Sequence, residues 1–119
     1  MNKIDSIRKD WSLIETLIDQ DRKILDIGCG DGGLMEQLEN NRNAMTHGIE
    51  LNRDLAANAI ARGFNVTHGN AELDLSQYSN NSFDYVILSQ TLQAMMKPKD
   101  ILSELLRIGS KAIVSFPNF

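Results

Sequence analysis

The sequence predicts an α/β fold: an open, doubly wound parallel sheet with strand order 3-2-1-4-5 and helices on both faces. Three observations lead to this prediction. Short apolar segments alternate with helical segments along the chain, which is typical of a sheet covered on both faces. Glycines cluster directly after the first strand, where such sheets bind their ligands. The length of 119 residues suits a single domain, so residues 1–119 are taken as one unit.

The composition is that of a globular protein, with 42% hydrophobic and 24% charged residues. A net charge of −4 argues against a nucleic-acid-binding protein, which usually carries a basic face. No apolar run reaches the roughly 20 residues of a membrane span, and the start of the chain does not resemble a signal peptide. The single cysteine, Cys29, provides neither a disulfide nor a cysteine-rich metal site. We therefore expect a cytoplasmic protein that holds no metal and contacts neither nucleic acid nor membrane.

The first segment, residues 1–20, is predicted to be a helix that packs one apolar stripe on the rest of the domain. Apolar side chains recur there every three or four residues, at Ile4, Ile7, Trp11, Ile14 and Ile18, with Leu17 beside Ile14. The βα core follows over residues 21–119. Its first strand covers residues 23–27, ends in a run of glycines, and leads into a helix over residues 33–39.

The rest of the core continues the alternation of strands and helices. Further strands are predicted at residues 45–50, 64–68, 83–88 and 111–116, and further helices at residues 53–62 and 98–108. Asn52 is a suitable N-cap for the first of these helices, and Gly63 is expected to end it. The apolar residues expected to pack along this helix are Leu55, Ala56, Ala59 and Ile60. Pro98 is expected in the first turn of the second helix. A polar stretch over residues 74–82 ends in a turn.

The stretch Asp26-Ile27-Gly28-Cys29-Gly30-Asp31-Gly32-Gly33 is the most informative part of the chain. It holds four of the eight glycines within six residues, which is more than a plain strand-to-helix turn requires. The spacing Gly28-x-Gly30-x-x-Gly33 satisfies the dinucleotide-binding pattern, and Glu50 follows at the end of the next strand, where an NAD site has its ribose-binding acid. An NAD-dependent oxidoreductase is therefore one interpretation, although no pair of residues suited to hydride transfer is evident.

The same residues form the pattern Asp26-x-Gly28-x-Gly30-x-Gly32, which resembles motif I of the Rossmann-like class I S-adenosylmethionine (SAM) methyltransferases. Asp26 and Asp31 would repel a pyrophosphate, whereas they would attract the sulfonium and ammonium groups of SAM. Glu50 can accept hydrogen bonds from both ribose hydroxyls. Simpler structural roles are also open, since Asp26 could cap the glycine turn and Glu50 could be a surface acid.

Twelve residues are predicted to bind the cofactor: Asp26, Gly28, Cys29, Gly30, Asp31, Glu50, Leu51, Asn70, Ala71, Leu88, Ser89 and Gln90. Asn70 and Ala71 are expected near the adenine, although Asn70 could equally be a turn residue after Gly69. Cys29 is expected to pack and not to act as a nucleophile, because no basic partner is adjacent. The stretch from Leu88 to Gln90 would form the wall near the methyl group. No general base is evident among these residues, so the sequence assigns no catalytic residue.

Four segments, residues 24–32, 48–50, 82–94 and 113–119, carry a more specific resemblance. The sequences Leu-Ser-Gln-Thr-Leu-Gln-Ala and Ser-Phe-Pro-Asn-Phe contribute most of it. From about Arg8 to the last residue, the chain resembles the bacterial methionine biosynthesis protein MetW family. The resemblance implies SAM as cofactor, S-adenosylhomocysteine as product, and a role in methionine biosynthesis. It leaves two functions open: a methyltransferase, or a non-catalytic SAM-sensing partner of homoserine O-acyltransferase, which is encoded alongside family members.

Class I methyltransferases normally continue after the fifth strand with two more strands, one of them antiparallel. This chain stops at Phe119, so we expect a fold that lacks those two strands and leaves the edge of the fifth strand uncovered. An uncovered edge can pair with another chain, so a homodimer through this strand is a further expectation.

Overall fold

The computed structural model describes residues 11–89 and 96–115. It contains five strands: β1 (Lys23–Ile27), β2 (Met45–Glu50), β3 (Val66–His68), β4 (Phe83–Ser89) and β5 (Gly109–Ser115). They form one sheet in the order β3-β2-β1-β4-β5, and every neighbouring pair is parallel. The predicted fold class and strand order are confirmed. In the described residues β5 lies at one edge of the sheet, and the homodimer through this edge stays a prediction.

The helices are residues 11–16 (α1), α2 (Gly33–Arg42), α3 (Arg53–Ala61), α4 (Ala71–Asp74) and α5 (Pro98–Ile108), with a 3₁₀ turn at Leu75–Gln77. Within the described parts of the chain, none of the helices has both the length and the hydropathy needed to cross a bilayer. The N-terminal helix was predicted to reach residue 20, but it ends at residue 16, and residues 1–10 lie outside the described residues.

Two apolar clusters, one on each face of the sheet, form the core. On one face, Leu25 and Ile49 pack with Leu105 of α5 and with Leu75, which follows α4. On the other face are Ile24 of β1, Ile87 of β4, Leu34 and Leu38 of α2, and Ile14 and Ile18. The neighbouring residues Ile24 and Leu25 belong to opposite clusters because side chains alternate along a strand. Both faces are therefore covered, as the continuous apolar strands predicted.

Helix α3 begins where the sequence predicted and ends at Ala61, one residue before the predicted end. The Asn52 side-chain oxygen accepts hydrogen bonds from the N–H groups of Asp54 and Leu55, both at 3.0 Å, and therefore caps the helix. Its packing differs from expectation, since Ala56 and Ala59 are buried whereas Leu55 and Ile60 are exposed. Only the small residues of α3 are buried, because the helix packs beside β2 and the short edge strand β3.

The part of the chain predicted as a polar stretch is more ordered than expected. It begins within α4, and Leu75, which follows α4, is buried in the core and anchors the 3₁₀ turn.

The sheet order reverses between β1 and β4, and α2 and α4 both begin at the carboxyl edge of the strands. Ligands of open α/β sheets bind at this edge, at the point of reversal.

Candidate functional site

The glycine loop between β1 and α2 is held by its own backbone hydrogen bonds. The N–H groups of Gly28 and Cys29 donate to the Ile49 carbonyl at 2.8 and 3.3 Å, and the N–H of Gly32 donates to the Cys29 carbonyl at 3.1 Å. At Gly30, φ is +60°, and a Cβ added there would meet no heavy atom within 4 Å. Glycine is therefore selected at this position by backbone conformation, and the space beside it is open to a ligand.

Glu50, the last residue of β2, reaches across to this loop. Its Oε1 accepts the Gly30 N–H at 2.7 Å, and its Oε2 accepts the Asn52 N–H at 2.8 Å. A carboxylate oxygen has two lone pairs, so each oxygen can accept one further hydrogen bond. The structure thus brings together the glycine loop and the acid that the sequence placed at the end of the second strand.

Asp26 lies in the central strand and is only 3% exposed. In the sheet it is in register with Gly48 of β2 and Ile87 of β4. Burial, and secondarily the negative charge of Glu50, raise the pKa of Asp26 to about 7. The N–H groups of Gly28, Cys29 and Gly32 donate to backbone carbonyls, and that of Gly30 donates to Glu50. None of these four groups donates to the Asp26 carboxylate, so among residues 11–89 and 96–115 the alternative role of Asp26 as a cap is not observed at these groups.

Cys29 packs under the loop, as the sequence led us to expect. Its side chain is buried against Gly48, where an added Cβ would lie 2.5 Å from the Cys29 Sγ and 2.8 Å from the Met35 Sδ. Burial, followed by the negative charges of Asp26 and Glu50, raises the pKa of the Cys29 thiol to about 12. The thiol is therefore protonated near neutral pH and is not a nucleophile.

Asp31, the second acid of the loop, is directed toward the end of α3. Its Oδ1 lies 3.7 Å from the Arg62 guanidinium, and its carbonyl accepts a hydrogen bond from the same group at 2.8 Å. The side chain is more than half exposed. Arg62, which also pairs with Glu36, therefore offsets part of the negative charge that the sequence led us to expect beside a ligand.

Asn70 and Ala71, which were expected near an adenine, follow β3, and Leu51 follows β2. The Asn70 side chain caps α4, because its Oδ1 accepts the Glu72 N–H at 2.9 Å. Ala71 is buried at the start of α4. The Leu51 side chain is 65% exposed, while its carbonyl accepts a hydrogen bond from the His68 Nε2 at 3.0 Å. Leu51 therefore presents apolar surface at the edge of the site.

The end of β4 contributes less to an open site than the sequence suggested. Leu88 is fully buried in the core cluster on the α5 face, so its side chain is not an exposed wall. Ser89 ends the strand and is in register with Ser115 of β5. Gln90 lies outside the described residues.

Glu72 has a structural role that was not predicted from the sequence. Its carboxylate accepts the backbone N–H of Met96 at 3.0 and 3.1 Å and that of Lys97 at 2.9 Å. Helix α5 has no capping hydrogen bond from the side chain of its own N-cap residue, Lys97. Glu72 therefore caps α5 from a distant part of the chain and joins α4, beside the site, to the start of that helix. The only hint in the sequence was the absence of a capping residue just before Pro98.

A family model described as "Methionine biosynthesis protein MetW" matches residues 8–119 of the chain. The chain belongs to the MetW family. This MetW-family chain is 31% identical to the "Bifunctional methionine biosynthesis protein MetXA/MetW" of Rhodopirellula baltica, over 96% of its own length. It spans 20% of the length of that relative. The resemblance drawn from the sequence segments is confirmed.

Solved structures share the fold of this MetW-family chain. One of them is phosphoethanolamine N-methyltransferase 2 of Haemonchus contortus, in complex with phosphomonomethylethanolamine and S-adenosylhomocysteine. It superimposes on this chain with a TM-score of 0.76 at 21% sequence identity. The match covers 86% of this chain and 25% of that one. The [4+2]-cyclase SpnF gives a TM-score of 0.73 at 24% identity, covering 85% and 40%. The predicted class I methyltransferase fold is confirmed. Because a cyclase shares it, the fold alone does not establish methyl transfer.

Proposed function

We propose that this MetW-family chain is the SAM-binding unit of a methyltransferase that acts in methionine biosynthesis. The observation that carries the proposal is the hydrogen bond of 2.7 Å from the Gly30 N–H to Glu50. It holds a carboxylate beside an open glycine loop, at the edge of the sheet where α/β folds bind ligands.

The residues at this edge fit the three parts of SAM. Glu50 has an acceptor site left on each oxygen for the two ribose hydroxyls. The exposed side chain of Leu51 provides apolar surface for the adenine. Asp26 supplies a carboxylate for the ammonium group of the methionine part, and Gly30 permits close approach of the backbone. When bound, SAM would supply an electrophilic methyl group, and these residues would hold and orient it.

An NAD-dependent oxidoreductase fits this loop less well. A pyrophosphate needs free backbone N–H groups at the loop and at the start of the following helix. The N–H groups of Gly28, Cys29 and Gly32 already donate to carbonyls of the protein, and that of Gly30 donates to Glu50. The carboxylates of Glu50 and Asp26 would also repel a pyrophosphate.

Calorimetric titration of the folded protein with S-adenosylhomocysteine and, separately, with NAD tests the identity of the cofactor. We expect binding of S-adenosylhomocysteine and no heat from NAD. Binding of NAD without binding of S-adenosylhomocysteine would overturn the proposal. S-adenosylhomocysteine is chosen because it keeps the adenosine and amino-acid groups and transfers no methyl group.

The second candidate function is a non-catalytic, SAM-sensing partner of homoserine O-acyltransferase. It is favoured by the relative from Rhodopirellula baltica, in which MetXA and MetW are parts of one bifunctional protein. Assays with purified homoserine O-acyltransferase separate the two functions. A catalyst would convert SAM to S-adenosylhomocysteine. A sensor would change the rate of acyl transfer when SAM is added, with no consumption of SAM.

A further inference from the structure

The two carboxylates at the edge of the site have contrasting surroundings. Glu50 lies near the surface and accepts two backbone hydrogen bonds, from Gly30 and Asn52. Asp26 is almost completely buried in the central strand. A buried carboxylate is stable in its charged form only when cations or hydrogen-bond donors compensate the loss of water. The surroundings of Asp26 therefore decide its protonation state.

The elements packed against β1 bring no cation to Asp26 within residues 11–89 and 96–115. From β2 the facing acid is Glu50, and from the loop it is the Cys29 thiol, which is protonated. From β4 the residue in register is Ile87. Burial and the charge of Glu50 raise the pKa of Asp26 to about 7.

The charged groups of the helices on this face are occupied elsewhere. Glu15, just before the end of α1, accepts hydrogen bonds from Gln37 and Asn41. On α2, Glu36 is paired with Arg62, and Glu39 accepts a hydrogen bond from the Thr46 hydroxyl. Arg42, the basic residue in the last turn of α2, donates hydrogen bonds to the carbonyls of Glu15 and Ile18. None of these groups is among the causes that act on the pKa of Asp26.

We propose that Asp26 is protonated in the cofactor-free protein near pH 6 and releases this proton when SAM or S-adenosylhomocysteine binds. The inference rests on the proposed function, which places the ligand's ammonium group beside Asp26. The O–H bond of the Asp26 carboxyl breaks, its proton passes to the solvent, and the resulting carboxylate pairs with the ammonium group. No covalent bond forms with the ligand.

Proton release makes the affinity depend on pH. Below the pKa of Asp26, the association constant should rise with pH by up to about tenfold per unit, since binding releases up to about one proton. Above that pKa the dependence should fade. The ligand's own amino group ionises above this range, so it is a cation throughout the window from about pH 6 to pH 7.

Calorimetry in buffers of different ionisation enthalpy counts the released protons directly. For titration with S-adenosylhomocysteine, we expect the release of most of one proton at about pH 6 and of a smaller fraction at about pH 8. Asp26→Asn should reduce the number of released protons to about zero at both pH values. The matched control is Glu36→Gln on the exposed side of α2, which should leave the count unchanged.

The outcomes separate the two proposals. Binding of S-adenosylhomocysteine with no proton exchange would overturn this inference and leave the proposed function standing, whereas absence of binding would overturn both. Undiminished proton release from a folded Asp26→Asn variant would assign the proton to another group and overturn the inference. If that variant does not fold, the ¹³C chemical shift of the Asp26 carboxyl is followed instead as a function of pH in the wild-type protein, without and with bound ligand. A midpoint near 7 that disappears with bound ligand supports the inference, and a midpoint near 4 contradicts it.

Discussion

The Gly30 N–H donates a hydrogen bond of 2.7 Å to Oε1 of Glu50. This bond joins the loop after β1 to the end of the adjacent strand β2, so the shape of the loop and the direction of the carboxylate depend on each other.

Gly30→Ala should weaken cofactor binding more than it weakens folding. The residue has φ of +60° and nothing near an added Cβ, so the expected loss of unfolding free energy is the conformational cost of about 1–2 kcal/mol. The added methyl would occupy the open space beside the loop where we place the cofactor. Gly63→Ala is the matched control, because Gly63 has φ of +94°, equally open surroundings and a position at the end of α3. Urea unfolding should show similar losses of unfolding free energy for both variants. Titration with S-adenosylhomocysteine should show weaker binding only for Gly30→Ala. Equal affinity in the two variants would contradict the placement of the cofactor.

Gly48→Ala should destabilise the protein by overpacking the space below the loop. Its Cβ would lie 2.5 Å from the Cys29 Sγ, and neighbouring atoms would have to move. Overpacking of this kind costs about 1–3 kcal/mol. The double variant Gly48→Ala/Cys29→Ala removes the sulfur and should recover part of the loss, which a double-mutant cycle from urea unfolding measures. Strictly additive effects would show that the Cys29 sulfur is not what excludes a side chain at Gly48.

The stability of the protein should depend on pH through Asp26. Folding raises the pKa of Asp26 from its ordinary value of 3.8 to about 7, so the folded protein binds this proton more tightly than the unfolded chain does. The contribution of Asp26 to stability is complete below about pH 4 and is lost as pH rises through about 7. The loss is on the order of 4 kcal/mol at most, at about 1.4 kcal/mol per pH unit.

Urea unfolding of wild type and Asp26→Asn at about pH 5 and pH 8 measures this contribution. The neutral amide does not ionise, so the stability of the variant relative to wild type should increase between the two pH values. A difference that stays constant would mean that Asp26 does not titrate in the folded protein over this range.

Glu72→Ala should destabilise the start of α5. The variant removes the carboxylate that accepts the N–H groups of Met96 and Lys97, at a cost of about 1–2 kcal/mol. Asp100→Ala is the control, since Asp100 is an exposed acid in the first turn of the same helix and should contribute about 0.3–1 kcal/mol. Urea unfolding compares the two variants. A larger loss for Asp100→Ala would contradict the capping role of Glu72.

The sequence was sufficient to predict the sheet and the meeting of Glu50 with the glycine loop. Both follow from local patterns, because the carboxyl ends of adjacent parallel strands meet at one edge once the strand order is known. The burial of Leu55 and Ile60 was predicted wrongly, since periodicity shows one apolar side of α3 but not how much of it the sheet covers. The capping of α5 by Glu72 could not be predicted. Glu72 is separated from Met96 and Lys97 by 24 and 25 positions in the sequence, and a contact over such a distance leaves no periodic signal.

The most direct test of the central claim is titration with S-adenosylhomocysteine of wild type, Glu50→Ala and Asp54→Asn. Asp54 is an exposed acid near the start of α3 and controls for the change in charge. Loss of hydrogen bonds to a charged group costs about 1.5–3 kcal/mol, so Glu50→Ala should bind at least about tenfold more weakly, and Asp54→Asn should bind like wild type. Circular dichroism should show that both variants are folded. Wild-type affinity in folded Glu50→Ala would contradict the claim that Glu50 and the glycine loop form the SAM site.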